Sequence, residues 1–335
     1  MKTDFLEFTT RGLYCATGGF YLDPKLVVNH AVISHAHSDH AVKGNKNIYC
    51  SAPTGEFMKL KFGEKNSGKC FLSSYGESFR IGDVNITLYP AGHILGSAQV
   101  MMEYDGVRYL YTGDFKLTED ESCEAFQFVK ADVLYTETTF ANPSYIHPDP
   151  AEEIRKLNTL NGKNILIGAY SLGKAQRITQ LVIQHCPEKK VVVHSNATPY
   201  HRIYESFGYS LGEWNFYKRS FLRDNSNIVY IVPPSVYSKY LSNKTFLKTF
   251  ATGWKNFYLS NDFLLTISDH ADWKELHMLI AHVKPKTIFT LHGDGSRLQK
   301  FFLGQSTNVV IMNGKKQTEN NYKPLSLFTD ENIER

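Results

Sequence analysis

The sequence predicts an α/β protein in two interleaved parts, and three features of its 335 residues predict it. Up to residue 145, short apolar runs keep ending in polar clusters rich in His and Asp, with hairpin-type turns between them. From residue 146, strand-like and helix-like segments alternate, the pattern of a parallel sheet with crossover helices. After residue 258 the first style returns, with strands that again run into His and Asp. The expected division is a first domain at 1–145 and 259–315, interrupted by an inserted domain at 146–258, with a polar tail at 316–335. At 42% apolar residues the chain can bury one large core or two ordinary ones.

In chain order, residues 19–22 read as a short strand closing on Asp23 and Pro24, where proline bars a helix. The apolar run 26–33 then leads into Ser34-His35-Ala36-His37-Ser38-Asp39-His40. A strand ending at Ser34 points His35 and His37 the same way, because side chains alternate in an extended chain. Asp39 and His40 then face them from the loop. Residues 47–52 read as a strand and 53–62 as a helix opened by proline. Residues 77–90 form a hairpin turning at Gly82-Asp83. A second hairpin pairs 99–103 with 107–111 around Tyr104-Asp105-Gly106, a strong two-residue turn signal.

Between the hairpins lies His93, with Gly92 and Gly96 around it to allow a sharp ligand loop. After the second comes Asp114, and residues 131–136 make a strand running into Glu137. In the inserted segment, helices are expected at 150–160, 172–186 and 198–207 and strands at 164–170, 191–195 and 228–232. Residues 263–267 read as a strand leading to Ser268-Asp269-His270. Residues 273–283 form an amphipathic helix capped by Asp272, and 287–291 a strand leading to His292. A lone His or Asp at a strand end is usually a turn residue or cap. Here all follow strand ends, so one rim of a sheet collects them, and imidazole plus carboxylate is the ligand set of zinc and manganese.

The basic charge is uneven. Residues 146–260 hold fifteen Lys and Arg against seven Asp and Glu, while the whole chain carries only +4; such concentration is what a patch for a phosphate backbone looks like. Five widely spaced cysteines with no Cys-x-x-Cys point to reduced thiols and a cytoplasmic protein. No apolar stretch reaches the length of a membrane span, and the N-terminus has no apolar signal core, so no membrane partner is expected.

The set Asp23, His35-x-His37-x-Asp39-His40, His93 and Asp114 resembles the metallo-β-lactamase superfamily signature. Glu137-Thr-Thr, Ser268-Asp-His270-Ala-Asp and Leu291-His292-Gly resemble the further motifs of its β-CASP nuclease branch. Within that branch the chain is similar to the bacterial DNA exonucleases encoded beside an ATP-dependent DNA ligase, through residues 91–99, Gly253-Trp254, residues 267–273 and residues 169–176. The resemblance implies an αββα metallo-β-lactamase sandwich with an inserted α/β β-CASP domain forming a cap. It implies two divalent metal ions, zinc or manganese: His35, His37 and His93 on one, Asp39, His40 and His292 on the other, Asp114 bridging. It places Asp23 behind them, orienting a ligand histidine.

Phosphodiester cleavage needs a nucleophile on one side of phosphorus and charge relief on the phosphoryl oxygens, which a metal pair holding a bridging hydroxide supplies. Catalytic roles are expected for Asp39, Asp114, Glu137 and His270, the imidazole giving a proton to the leaving oxygen and Glu137 orienting it. Ser171, Gly173, Lys174 and Arg177 lie at a strand-to-helix junction that suits a phosphate; many relatives have Gly-Arg where this chain has Gly173-Lys174. The expected function is a metal-dependent DNA exonuclease, a hydrolase binding DNA in preference to RNA, working in DNA repair alongside a DNA ligase. The alternative is a β-CASP ribonuclease. A small-molecule hydrolase has no need of a basic inserted domain, and a non-catalytic binding module would lack ligands that are all present.

Overall fold

A computed structural model describes residues 5–255 and 261–312; the expected tail at 316–335 lies outside the described residues. The chain divides into two compact units. Among the described residues the first comprises 5–119, 123–146 and 270–312, and the second 120–122, 147–255 and 261–269.

The first unit is a sandwich of two sheets. One has six strands in chain order, Glu7–Thr9, Gly12–Cys15, Phe20–Leu22, His30–Val32, Asn47–Cys50 and Lys69–Leu72. The other has seven, in the order Asn308–Ile311, Thr287–Leu291, Val133–Glu137, Val107–Tyr111, Ala98–Tyr104, Val84–Pro90 and Ser78–Ile81. Strand alternation sorts the apolar residues between two cores. Tyr109, Tyr111, Val133 and Tyr135 turn inward to meet Leu13, Phe20, Leu22 and Val32 of the facing sheet. Leu110, Leu134 and Ile288 turn outward, against Leu276, Leu279, Ile280 and Val283 of helix Trp273–Val283. Both faces of the central strands are therefore covered, which explains why all five residues of Val133–Glu137 are buried.

The second unit is built on an all-parallel five-stranded sheet, in the order Trp214–Phe216, Lys190–Val193, Ile228–Val232, Ile165–Gly168 and Leu247–Phe250. Helix Lys174–His185 packs Ala175, Ile178 and Val182 on one face of it.

Two expectations change. Residues 263–267 form no regular strand: Leu265 makes a single parallel bridge to Ala251, and the Thr266 amide donates to the buried Glu153 carboxylate instead of a neighbouring strand. For the same reason residues 261–269 belong to the second unit, where Leu265 and Ile267 enter the core, and not to the returning part of the first domain. The expected helix at 150–160 is α-helical over Pro150–Arg155 and tightens to a 3-10 turn over Lys156–Leu160.

Candidate metal centre

The strands of the first unit deliver their polar residues to one edge. Asp23 follows Phe20–Leu22, the histidine loop follows His30–Val32, His93 follows Val84–Pro90, Asp114 follows Val107–Tyr111, and His292 follows Thr287–Leu291. The register explains the convergence, since Tyr111 pairs with Tyr135 and Glu137 with Leu291 in parallel, ending these strands side by side. Asp23 and His292 are left-handed non-glycine residues, at φ 40 and 48°. Such conformations cluster at functional sites because the surroundings must impose them. Gly113, at φ 56°, makes the other tight approach: a Cβ there would lie 2.8 Å from the Ser34 side chain.

Asp114 is the hub. Its Oδ2 lies 3.3 Å from His40 Nε2, 3.7 Å from His35 Nε2, 3.9 Å from His93 Nε2 and 3.7 Å from His270 Nδ1. His37 Nδ1 stands 3.1 Å from both His35 Nε2 and His93 Nε2, with the three rings mutually edge-on. His35, His40, His93 and Asp114 are buried, His37 is half-buried and Asp39 exposed.

Asp23 fixes the tautomers. It accepts from His40 Nδ1 at 2.7 Å, from the Tyr111 hydroxyl at 2.8 Å, and from the amide and hydroxyl of Ser34. The Ser34 hydroxyl, donating to Asp23, accepts from His35 Nδ1 at 3.0 Å. Both imidazoles thus commit their Nδ1–H to these partners and turn Nε2 toward Asp114. A cation fits this arrangement. His40 Nε2 is buried without a hydrogen-bond partner, and the ring nitrogens of three histidines face one another at a separation that at most one shared proton can satisfy. Burial works to lower the His40 pKa, but Asp114, Asp39 and Asp23 outweigh it and raise it well above the usual value; positive charge at this nitrogen is favoured. Burial, with positive neighbours His40, His37 and His93, pushes His35 well down, toward the neutral ligand form. Burial alone would raise Asp114, yet His40 and His270 hold it well below the usual carboxylate range.

Among the described residues, four groups of side chains could each hold an ion: His35, His37, His93 and Asp114; Asp39, His40 and Asp114; Asp23, His35 and His40; and Asp114, Glu137 and His270. His292 belongs to none of them. It is exposed and stacks on His40, with ring centroids 5.1 Å apart. His270 Nδ1 donates to Glu137 Oε2 at 2.9 Å, and Glu137 also accepts from the Phe115 amide and the Thr139 hydroxyl.

The residues expected to bind phosphate are arranged otherwise, within the second unit. Lys174 and Arg177 are buried. Lys174 Nζ sits 3.1 Å from Asp269 and donates to the Ile267 carbonyl. Arg177 pairs with Asp269 and with Asp120. Their charge is used in ion pairs, so the expectation of open phosphate-binding cations fails. The Gly173 amide donates to the Gln176 side chain, and the Ser171 carbonyl accepts from it. Spacing in the sequence assigns no role to Ser34, Tyr111 or Thr139, because hydroxyl residues carry no periodic signal; their hydrogen bonds to Asp23 and Glu137 appear only in the fold.

Comparison with known proteins gives the lineage. Residues 24–167 match the model of a beta-lactamase superfamily domain, and residues 262–302 that of a Zn-dependent metallo-hydrolase RNA specificity domain. The chain belongs to the β-CASP branch of the metallo-β-lactamase superfamily. A probable DNA ligase of Opitutus terrae is 31% identical over 299 residues, covering 85% of this β-CASP chain and 29% of that protein. An RNase J-like protein of Methanocaldococcus jannaschii is 30% identical over 187 residues, 46% of this chain and 43% of that one. The chain thus matches less than half the length of either relative. A crystal structure of a protein of unknown function from Enterococcus faecalis shares the fold, with a TM-score of 0.58 at 15% identity, covering 85% of this chain and 79% of that one.

Proposed function

We propose that the protein is a metal-dependent DNA exonuclease acting in repair alongside a DNA ligase. The observation that carries the metal chemistry is the single Asp114 oxygen within 3.9 Å of four imidazoles. His35, His37, His93 and Asp114 would hold one divalent cation, and Asp39, His40 and His292, with Asp114 shared, the second. Two such cations, zinc or manganese, supply charge relief on the phosphoryl oxygens and a water-derived nucleophile near neutral pH.

The chain's own residues do the rest. Asp23, through His40 and the Ser34 relay, holds two ligand rings in their metal-facing tautomers. His270 gives a proton from Nε2 to the leaving oxygen, while Glu137 holds Nδ1–H and balances the imidazolium. The choice of DNA follows the relative named a probable DNA ligase, which aligns with 85% of this chain. The ribonuclease reading has its own support, because residues 262–302 match a domain model described by RNA specificity and a second relative is named RNase J-like. A cytoplasmic setting fits five cysteines that no disulfide joins. No helix among the described residues is long and apolar enough to cross a membrane.

The test gives the purified chain matched DNA and RNA strands, labelled at either end, with zinc or manganese. Stepwise shortening of DNA that vanishes in His35→Ala supports the proposal. Internal cuts in RNA with DNA intact would sink it.

A further inference from the structure

Lys116 is 3% exposed and two residues past Asp114, and the proposed reaction makes no direct use of it. Its ammonium lies 2.6 Å from Glu275 Oε2 and donates to the His270 backbone carbonyl at 3.3 Å. Glu275 Oε1 accepts from the Leu117 and Thr118 amides and the Thr118 hydroxyl, while Oε2 also accepts from the Asp272 amide. Next to these bonds, the Ala271 amide donates to the Phe115 carbonyl at 2.8 Å. The stretch that carries Asp114 is therefore stapled to the stretch that carries His270. Gly92 belongs to the same arrangement, for a Cβ there would sit 2.3 Å from the Lys116 carbonyl.

A buried ammonium is costly to desolvate, and an apolar side chain would fill the same space without that cost. What the apolar chain could not do is hold a carbonyl. We propose that Lys116 is a positioning residue for His270: by gripping its carbonyl, with Glu275 as anchor, it sets where the imidazole stands relative to Asp114. Nδ1 of His270 is 3.7 Å from Asp114 Oδ2 in this arrangement. The inference rests on His270 as the proton donor. In that step the water-derived oxygen forms its bond to phosphorus as the P–O bond to the leaving group breaks, and the departing oxygen keeps the electron pair and takes the His270 proton.

A residue that acts only through the acid must matter only when the leaving group needs a proton. The full chain is loaded with manganese and given an end-labelled oligonucleotide, then bis(4-nitrophenyl) phosphate, whose nitrophenolate departs unprotonated. Lys116→Met is expected to lower kcat on the oligonucleotide about ten- to a hundredfold, with KM and aryl-diester turnover within about twofold. Placed in a His270→Ala background, it is expected to add no further loss. Because Lys116→Met leaves the Glu275 charge buried, Lys116→Met/Glu275→Gln provides the folding control. Its melting temperature should recover while oligonucleotide kcat stays low.

Equal losses on both substrates, a further loss in the His270→Ala background, or kcat recovering together with melting temperature would each overturn the inference. A slow His270→Ala with an unimpaired Lys116→Met overturns the Lys116 role alone. A His270→Ala variant that cleaves the oligonucleotide at full rate removes the proton-donor reading and this inference with it.

Discussion

Asp23 accepts a hydrogen bond from His40 Nδ1 at 2.7 Å, and that contact decides which ring nitrogen meets Asp114. The same carboxylate reaches His35 through the Ser34 hydroxyl. One residue, held at a left-handed φ of 40°, therefore governs two proposed ligands that it need not itself join to a metal.

Asp23→Ala is expected to weaken metal binding about ten- to a hundredfold, the usual loss when a partner that orients a ligand is removed. Zinc titration against a competing chelator reads this directly. Unchanged affinity would show that the two rings keep their tautomers without Asp23.

Chelation should also be visible in stability. A cation that binds only the folded chain stabilises it by mass action, about 2.7 kcal/mol at a hundredfold excess over Kd. Dialysis against a strong chelator is expected to lower the melting temperature, and added zinc or manganese to restore it. His35→Ala, which removes a ligand from one of the two proposed cations, should show a smaller response of both kinds.

How much of this was legible in the sequence depends on whether a residue's partner is local. The hairpins, the helix at Trp273–Val283 with its Asp272 cap, and the strand-end His and Asp residues follow from period, turn chemistry and spacing over a few positions. Residues 263–267 have the apolar content of a strand, but strand formation needs a neighbour. Leu264 is 64% exposed, and Glu153, far off in sequence, takes the Thr266 amide. Lys174 and Arg177 read as phosphate-binding cations because nothing local reveals Asp120 and Asp269 as partners. Glu275 is an intermediate case. Its place three residues after Asp272 marks a capping box, whereas its grip on Lys116, Leu117 and Thr118 belongs to the tertiary fold.

Gly113→Ala is expected to destabilise the first unit by about 1–3 kcal/mol. The new methyl meets Ser34 at 2.8 Å, and the left-handed φ penalises any L side chain. Denaturant unfolding measures the loss. Metal affinity should fall with it, since Ser34 links His35 to Asp23.

His201 gives the second unit an acid-sensitive contact. It is buried between helices Lys174–His185 and Thr198–Ser206; Nδ1 accepts from Gln176 and Nε2 bonds the Thr179 hydroxyl. Burial is the main cause that lowers its pKa from 6.5 to about 4; Arg202 adds to this, while the Ala197 carbonyl and Glu205 oppose it. Between these values the unfolded chain binds a proton that the folded chain refuses, so stability rises with pH across that window. The contribution is complete above pH 6.5 and is lost as pH falls toward 4, at most about 3 kcal/mol. Urea unfolding of the wild type and His201→Gln from pH 7 to pH 4 isolates it. The two stability curves should converge as the pH drops, because glutamine cannot take up the proton. Parallel curves would mean that His201 remains neutral in the unfolded chain as well, or is readily protonated in place.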